Sequence, residues 1–142
     1  MKFKYIEDIA TADVAFEAYG KNLEETFSNA ALAMFEVETD TKRVEPKEKK
    51  EVKVEGQDLQ ALLFDWLSEL ILLRDVEKMF FSRFDVEIGK TGGKYGLTAD
   101  VFGEKIDREK HEMKIEVKAV SYQLMEVVEK PDECKVRVIL DI

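Results

Sequence analysis

The chain has 142 residues, 45% hydrophobic and 37% charged, with nine Phe and a formal net charge of −9. That length suits one domain with a substantial core, and the acidic balance has the wrong sign for holding nucleic acid through its phosphates. A single cysteine, Cys134, and a single histidine, His111, exclude an internal disulfide, CxxC-type ligation and multi-histidine zinc or copper sites.

Two Asn and three Gln in a Lys/Glu-rich chain resemble the surfaces of proteins from hot environments. The basic run Thr41–Lys53 carries six Lys/Arg against three Glu and reads as a solvated linker and strand edge, so no direct nucleic-acid contact is expected. Met1-Lys2-Phe3-Lys4-Tyr5 has no apolar signal region, and the most apolar stretch, Leu59–Leu73, is interrupted by Asp65 and Glu69. A cytoplasmic protein with no membrane segment is the expectation.

Residues 12–19 alternate as a strand, with Ala12, Val14, Phe16 and Ala18 on one face and Asp13, Ala15, Glu17 and Tyr19 on the other. Gly20 breaks it. Asn22 followed by Glu25 predicts an N-cap with a capping box for a helix to about Glu36, whose stripe is Leu23, Phe27, Ala30, Ala31, Met34 and Phe35. Thr39–Lys50, polar and holding Pro46, reads as a connection, and Val52 and Val54 as a short strand. Asp58 predicts the cap of a longer helix to roughly Asp75. Leu59, Leu62, Leu63, Trp66, Leu67, Leu70 and Leu73 face inward there, with Phe64, Ile71 and Leu72 widening the stripe.

From Met79 the period becomes that of strands. Phe84, Val86 and Ile88 alternate, Gly92-Gly93 turns the chain, and Tyr95, Leu97, Ala99 and Val101 return. The glycine pair lacks the Lys-Ser/Thr ending of a phosphate loop. Asp107–Glu112 is a charged turn holding His111. Strand signals resume at Ile115, Val117 and Ala119, again near Leu124–Val128, and after Pro131-Asp132 in a last strand with Val136, Val138 and Leu140 on one face. The expected class is α+β: two helices packed on a mostly antiparallel sheet, one domain over 1–142, with an inserted βαββ subdomain over about 40–105 left open.

No GxSxG nucleophile is present, and a Cys134–His111 dyad has only counting in its favour. Carboxylates are more informative. Asp13 shares a strand face with Ala15, and Asp141 with Ile139; the chain given ends one residue later, at Ile142, so a main-chain carboxylate would lie a few ångströms from Asp141. Anions this close repel unless a cation or a basic side chain intervenes. Two readings stand: a salt bridge to Lys118 or Arg137, or an all-oxygen site for a hard divalent cation such as calcium, magnesium or manganese.

Thr11-Ala12-Asp13-Val14, Leu23-Glu24-Glu25-Thr26-Phe27, Phe81-Ser82-Arg83-Phe84, Gly103-Glu104-Lys105, His111-Glu112, Glu116-Val117-Lys118-Ala119-Val120 and Leu140-Asp141-Ile142 follow the order found in archease proteins. The chain resembles that family over nearly its whole length. The resemblance implies an accessory protein, not a free-standing catalyst, for the RtcB-type RNA ligase of tRNA splicing and RNA repair. In that role it would promote guanylylation of the ligase and its multiple turnover. It further implies that Asp13, Asp141 and the terminal carboxylate of Ile142 hold a divalent metal, usually calcium, and that Lys118 is functional.

Two positions depart from the family pattern. Ala10 and Gln123 stand where histidines are usual, so roles of those histidines do not transfer. Two alternatives to ligase activation are a general protein-binding or chaperone-like module with structural carboxylates, and a metal-dependent phosphohydrolase, for which no base or second metal cluster is visible.

Overall fold

Asn22 and Asp58 start the two helices as their short acceptor side chains dictate. The Asn22 side chain accepts the Glu25 N–H at 2.8 Å at the head of α1 (Leu23–Glu38), and Asp58 accepts the Ala61 N–H at 2.7 Å at the head of α2 (Leu59–Glu77). The return bond of the capping box is displaced by one residue, with Glu25 accepting from Lys21 N–H rather than from the cap. Lys78 closes α2 in the left-handed conformation, its N–H on the Arg74 carbonyl. The computed structural model describes residues 1–7 and 13–142; Ala10, Thr11 and Ala12 lie outside the described residues.

Among the described residues the strands are β1 (Phe3–Ile6), β2 (Asp13–Gly20), β3 (Glu48–Gly56), β4 (Met79–Thr91), β5 (Lys94–Lys105), β6 (Ala119–Glu129) and β7 (Cys134–Asp141). They form two antiparallel sheets, ordered β1-β2-β7-β6 and β3-β5-β4. Gly92 and Gly93, both at positive φ, make the two-residue turn that joins β4 to β5. The expected α+β architecture is therefore present, with its strands divided over two sheets.

Helix α1 packs on β2 and β4, and α2 on β3 and β6, so each helix touches both sheets. One apolar cluster fills the space between, and its largest fully buried side chains include Trp66, Phe16, Phe27, Phe35, Phe80 and Phe81. The Trp66 indole N–H, which burial would otherwise leave unpaired, donates to the Phe27 carbonyl at 3.0 Å and ties the helices together.

Several expectations are corrected. Residues 115–118 are not a strand, since β6 begins at Ala119. Their alternation is real in that Val117 is buried, but Ile115 is exposed, and a single main-chain bond, from Lys118 N–H to the Asp141 carbonyl, reaches the neighbouring strand. The strand expected near Leu124 is the continuation of β6 after a wide bulge, where residues 122–125 stand opposite Val138 alone and Leu124 takes a positive φ. Strand β3 begins at Glu48, inside the expected connection, because a sheet with one wet face accepts charged alternation. Leu72 does not widen the buried stripe; it is 54% exposed, while Arg74 occupies the buried side.

Gly103 faces the β4 bulge at Ser82, and a Cβ there would overlap the Phe80 carbonyl oxygen. Gly103→Ala should destabilise the protein by about 3 kcal/mol or more, because backbone rather than a flexible side chain must give way. Chemical denaturation of the purified variant checks this; a midpoint equal to wild type would show that the sheet relaxes freely there.

Candidate functional site

Strand β7 lies between β2 and β6, and its register decides which side chains meet at the end of the sheet. Asp13 stands directly opposite Asp141, and Asp141 directly opposite Ala119. Directly opposed residues share a face with their Cβ atoms about 4.5–5.5 Å apart, so the two carboxylates are immediate neighbours. Asp13 is half-buried and Asp141 exposed. The Ile142 side chain packs against the core, which holds the main chain beside Asp141 in place. Lys118, exposed, extends the ladder by one bond, its N–H donating to the Asp141 carbonyl at 2.8 Å. Asp13, Asp141, Ile142 and Lys118 thus converge at one end of the four-stranded sheet.

Like charges directly opposed across two strands destabilise a sheet unless something neutralises them. Among the described residues neither carboxylate has an ion-pair partner. The contrast lies on the same face of the same strand, where Glu17 has Lys4 at 3.6 Å and Lys135 at 3.4 Å. The salt-bridge reading fails for Arg137, whose guanidinium is engaged by Glu126 at 3.1 Å and the Leu124 carbonyl at 2.9 Å. Among the described residues no three His, Cys, Asp or Glu side chains are grouped to hold a metal. Among the described residues, Asp13 and Asp141 are thus the side-chain carboxylates at this sheet end, and main-chain or water oxygens are the further donors they would need for a cation. Gln123 lies in the β6 bulge with its N–H on the Ser121 hydroxyl.

His111 is structural. It is 2% exposed, its Nδ1 accepts the Asp107 N–H at 3.0 Å, and so its proton sits on Nε2, facing Glu104 Oε2 at 3.0 Å. Cys134 is buried with its sulfur toward the Lys130 carbonyl, and burial pushes its thiol up. The two share no partner, so no dyad exists.

A second charged cluster escaped the sequence reading. Arg74 and Glu38, 4% and 5% exposed, form a buried pair with Nη1 at 2.8 and 2.7 Å from the two carboxylate oxygens. Arg74 also donates to Asp75 and, at 3.0 Å, to the Val117 carbonyl. Burial pushes the Glu38 carboxyl up to about 7, outweighing the pull of Arg74. The available signal was Arg74 at position i+4 from Leu70, continuing the buried stripe of α2.

Comparison with known proteins agrees with this architecture. The Archease protein family model matches residues 3–142. The chain is 48% identical over 132 residues to an archease of Methanothermobacter thermautotrophicus, covering 93% of this chain and 94% of the relative. It superposes on the solution structure of Methanobacterium thermoautotrophicum protein 1598 with a TM-score of 0.86 and 44% identity, covering 99% of each chain. A crystal structure of a Thermotoga maritima archease, described as a possible chaperone, gives a TM-score of 0.60 at 25% identity, covering 94% of this chain and 93% of the other.

Glu104 yields a pH prediction. Burial would raise its carboxyl, but Lys110, the Glu45 N–H and His111 bind the ionised form and hold it at about 2. A carboxyl lowered in the folded state stabilises above its unfolded value, and that stability is lost as pH falls from about 4.5 through about 2. Glu104→Gln should cost about 1–3 kcal/mol at neutral pH and flatten the acid limb in that window. Urea unfolding from pH 7 to pH 2 checks it; an unchanged acid limb would remove Glu104 from the account.

Proposed function

The chain belongs to the archease family, and we propose that it activates an RtcB-type RNA ligase in tRNA splicing and RNA repair, promoting guanylylation and multiple turnover of that enzyme. The observation that carries this reading is the register Asp13↔Asp141 with Lys118 bonded alongside. Two unneutralised carboxylates at a half-exposed sheet end, with a lysine on the adjoining main chain, form a charged tip and not an enclosed pocket. Such a tip suits presentation to a partner. The net charge of −9 favours approach to a basic, RNA-binding enzyme, since opposite fields speed encounter.

In this reading Asp13, Asp141 and the main-chain carboxyl oxygens of Ile142 hold a divalent cation. Hard oxygen donors and a high coordination demand favour calcium, with magnesium and manganese as alternatives. The cation neutralises the opposed carboxylates and leaves coordination positions for oxygens of the partner or its nucleotide. Lys118 supplies a mobile positive charge for a phosphate of that nucleotide.

The test is single- and multiple-turnover guanylylation and ligation by the cognate ligase, with and without this protein. Asp13→Asn, Asp141→Asn and Lys118→Ala should each remove the gain, and the two Asp variants should also lose calcium binding in titration calorimetry. A few residues appended after Ile142 should weaken calcium binding without changing any side chain. Full activation by all three point variants would overturn the site.

A chaperone-like role has one observation in its favour: Leu72, Val76, Tyr122 and Leu124 are more than half exposed, at 54%, 68%, 52% and 51%. It predicts metal-independent suppression of aggregation of unrelated clients, undiminished in the Asp variants.

A further inference from the structure

The peptide plane between Val117 and Lys118 is held on both sides. Its carbonyl accepts from Arg74 Nη1 at 3.0 Å, and its N–H donates to the Asp141 carbonyl at 2.8 Å. A peptide unit is rigid and planar, so fixing the direction of its C=O fixes that of its N–H. Arg74 is in turn clamped by Glu38, the final residue of α1, whose own carbonyl accepts the Lys114 N–H at 3.0 Å. Residues 112–118 belong to no sheet, and apart from Val117 their side chains are exposed. The buried Val117 side chain sets the depth of this segment. It leaves the rotation of the following peptide plane to the two hydrogen bonds.

We infer that Arg74, clamped by Glu38, is a positioning residue that sets the orientation of the Val117–Lys118 peptide and with it the placement of Lys118 beside the Asp13/Asp141 row. This rests on the functional reading of that row given above. The pair joins the C-terminal ends of both helices to the sheet end through a single peptide unit, so the helices hold the exposed tip from within the core. A buried ion pair is a costly way to stabilise a fold, because hydrophobic residues of similar volume often serve equally well. Its use as an orienting clamp accounts for what an apolar pair would not do.

That difference supplies the experiment. The double variant E38L/R74M replaces the pair with apolar side chains of similar size. It should fold with a melting temperature near wild type, yet the Lys118 amide should exchange with deuterium roughly tenfold faster, the equivalent of one lost hydrogen bond. Ligase activation should fall with it. Glu38→Gln, which keeps an acceptor for Arg74, should preserve slow exchange and activation. If the double variant does not fold, Glu38→Asp decides: it keeps both charges but draws the guanidinium back by one methylene, and should speed Lys118 exchange with little change in melting temperature. Lys118 exchange at the wild-type rate in a folded double variant, or in Glu38→Asp, overturns the inference. Lys118→Ala separates it from the reading it rests on. If that variant still activates the ligase, the functional reading is wrong, while amide exchange at Lys118 continues to decide the positioning role.

Discussion

The pairing of β7 with β2 on one side and β6 on the other is the constraint from which the rest of this structure follows. Alternation along β7 sends Val136, Val138 and Leu140 into the core without residual exposure, and the same alternation puts Asp141 on the opposite face. A slip of one residue would exchange the faces and bury the carboxylate. The burial of the three apolar side chains therefore fixes the face Asp141 takes in the register that sets Asp13 opposite it. Core packing and site geometry are one choice, made once.

The carboxylate row is a place where the local rule for sheets is broken. Four residues along the same strand it is kept: Glu17 lies between two lysines, and Arg137 beside it reaches Glu126. Unneutralised like charges at one end of an otherwise well-paired sheet mark a position that works at some expense to stability. The buried Glu38–Arg74 pair is the second departure, an ion pair inside the core where apolar residues would pack. The two departures are connected through the Val117–Lys118 peptide, which is why they belong to one account.

Much of this was legible from the residues alone, and the successes share a cause. Asn22 and Asp58 as helix caps, Gly92-Gly93 as a hairpin turn and the alternating faces of β2 and β7 are set by short-range sterics and hydrogen bonding. The failures share one too. Ile115-Glu116-Val117-Lys118 alternates like a strand, but alternation reports a face and not the presence of a neighbouring ladder. Nothing in the sequence around Arg74 marks it as buried; only the return of Val117 and the end of α1 to the same spot makes it a buried clamp. Pairing Asp13 with Asp141 across the whole chain required the family resemblance, since nothing within either strand specifies the other.

The order of β7 in the chain has a consequence for how the molecule forms. It follows every other strand in sequence yet sits between β2 and β6 in space, and those two strands do not touch without it. Strands β3 to β5 with α2 are contiguous and can assemble through short loops, whereas the four-stranded sheet has to wait for contacts that span almost the entire chain. Until β2 meets the β6–β7 hairpin, the facing edges of β2 and β7 carry unpaired backbone groups open to other chains. The pairing of β7 with β2 is the longest-range step in forming this sheet, and that step creates the carboxylate row. A molecule that displays the tip has, by that fact, joined the start of its chain to the end of the described fold.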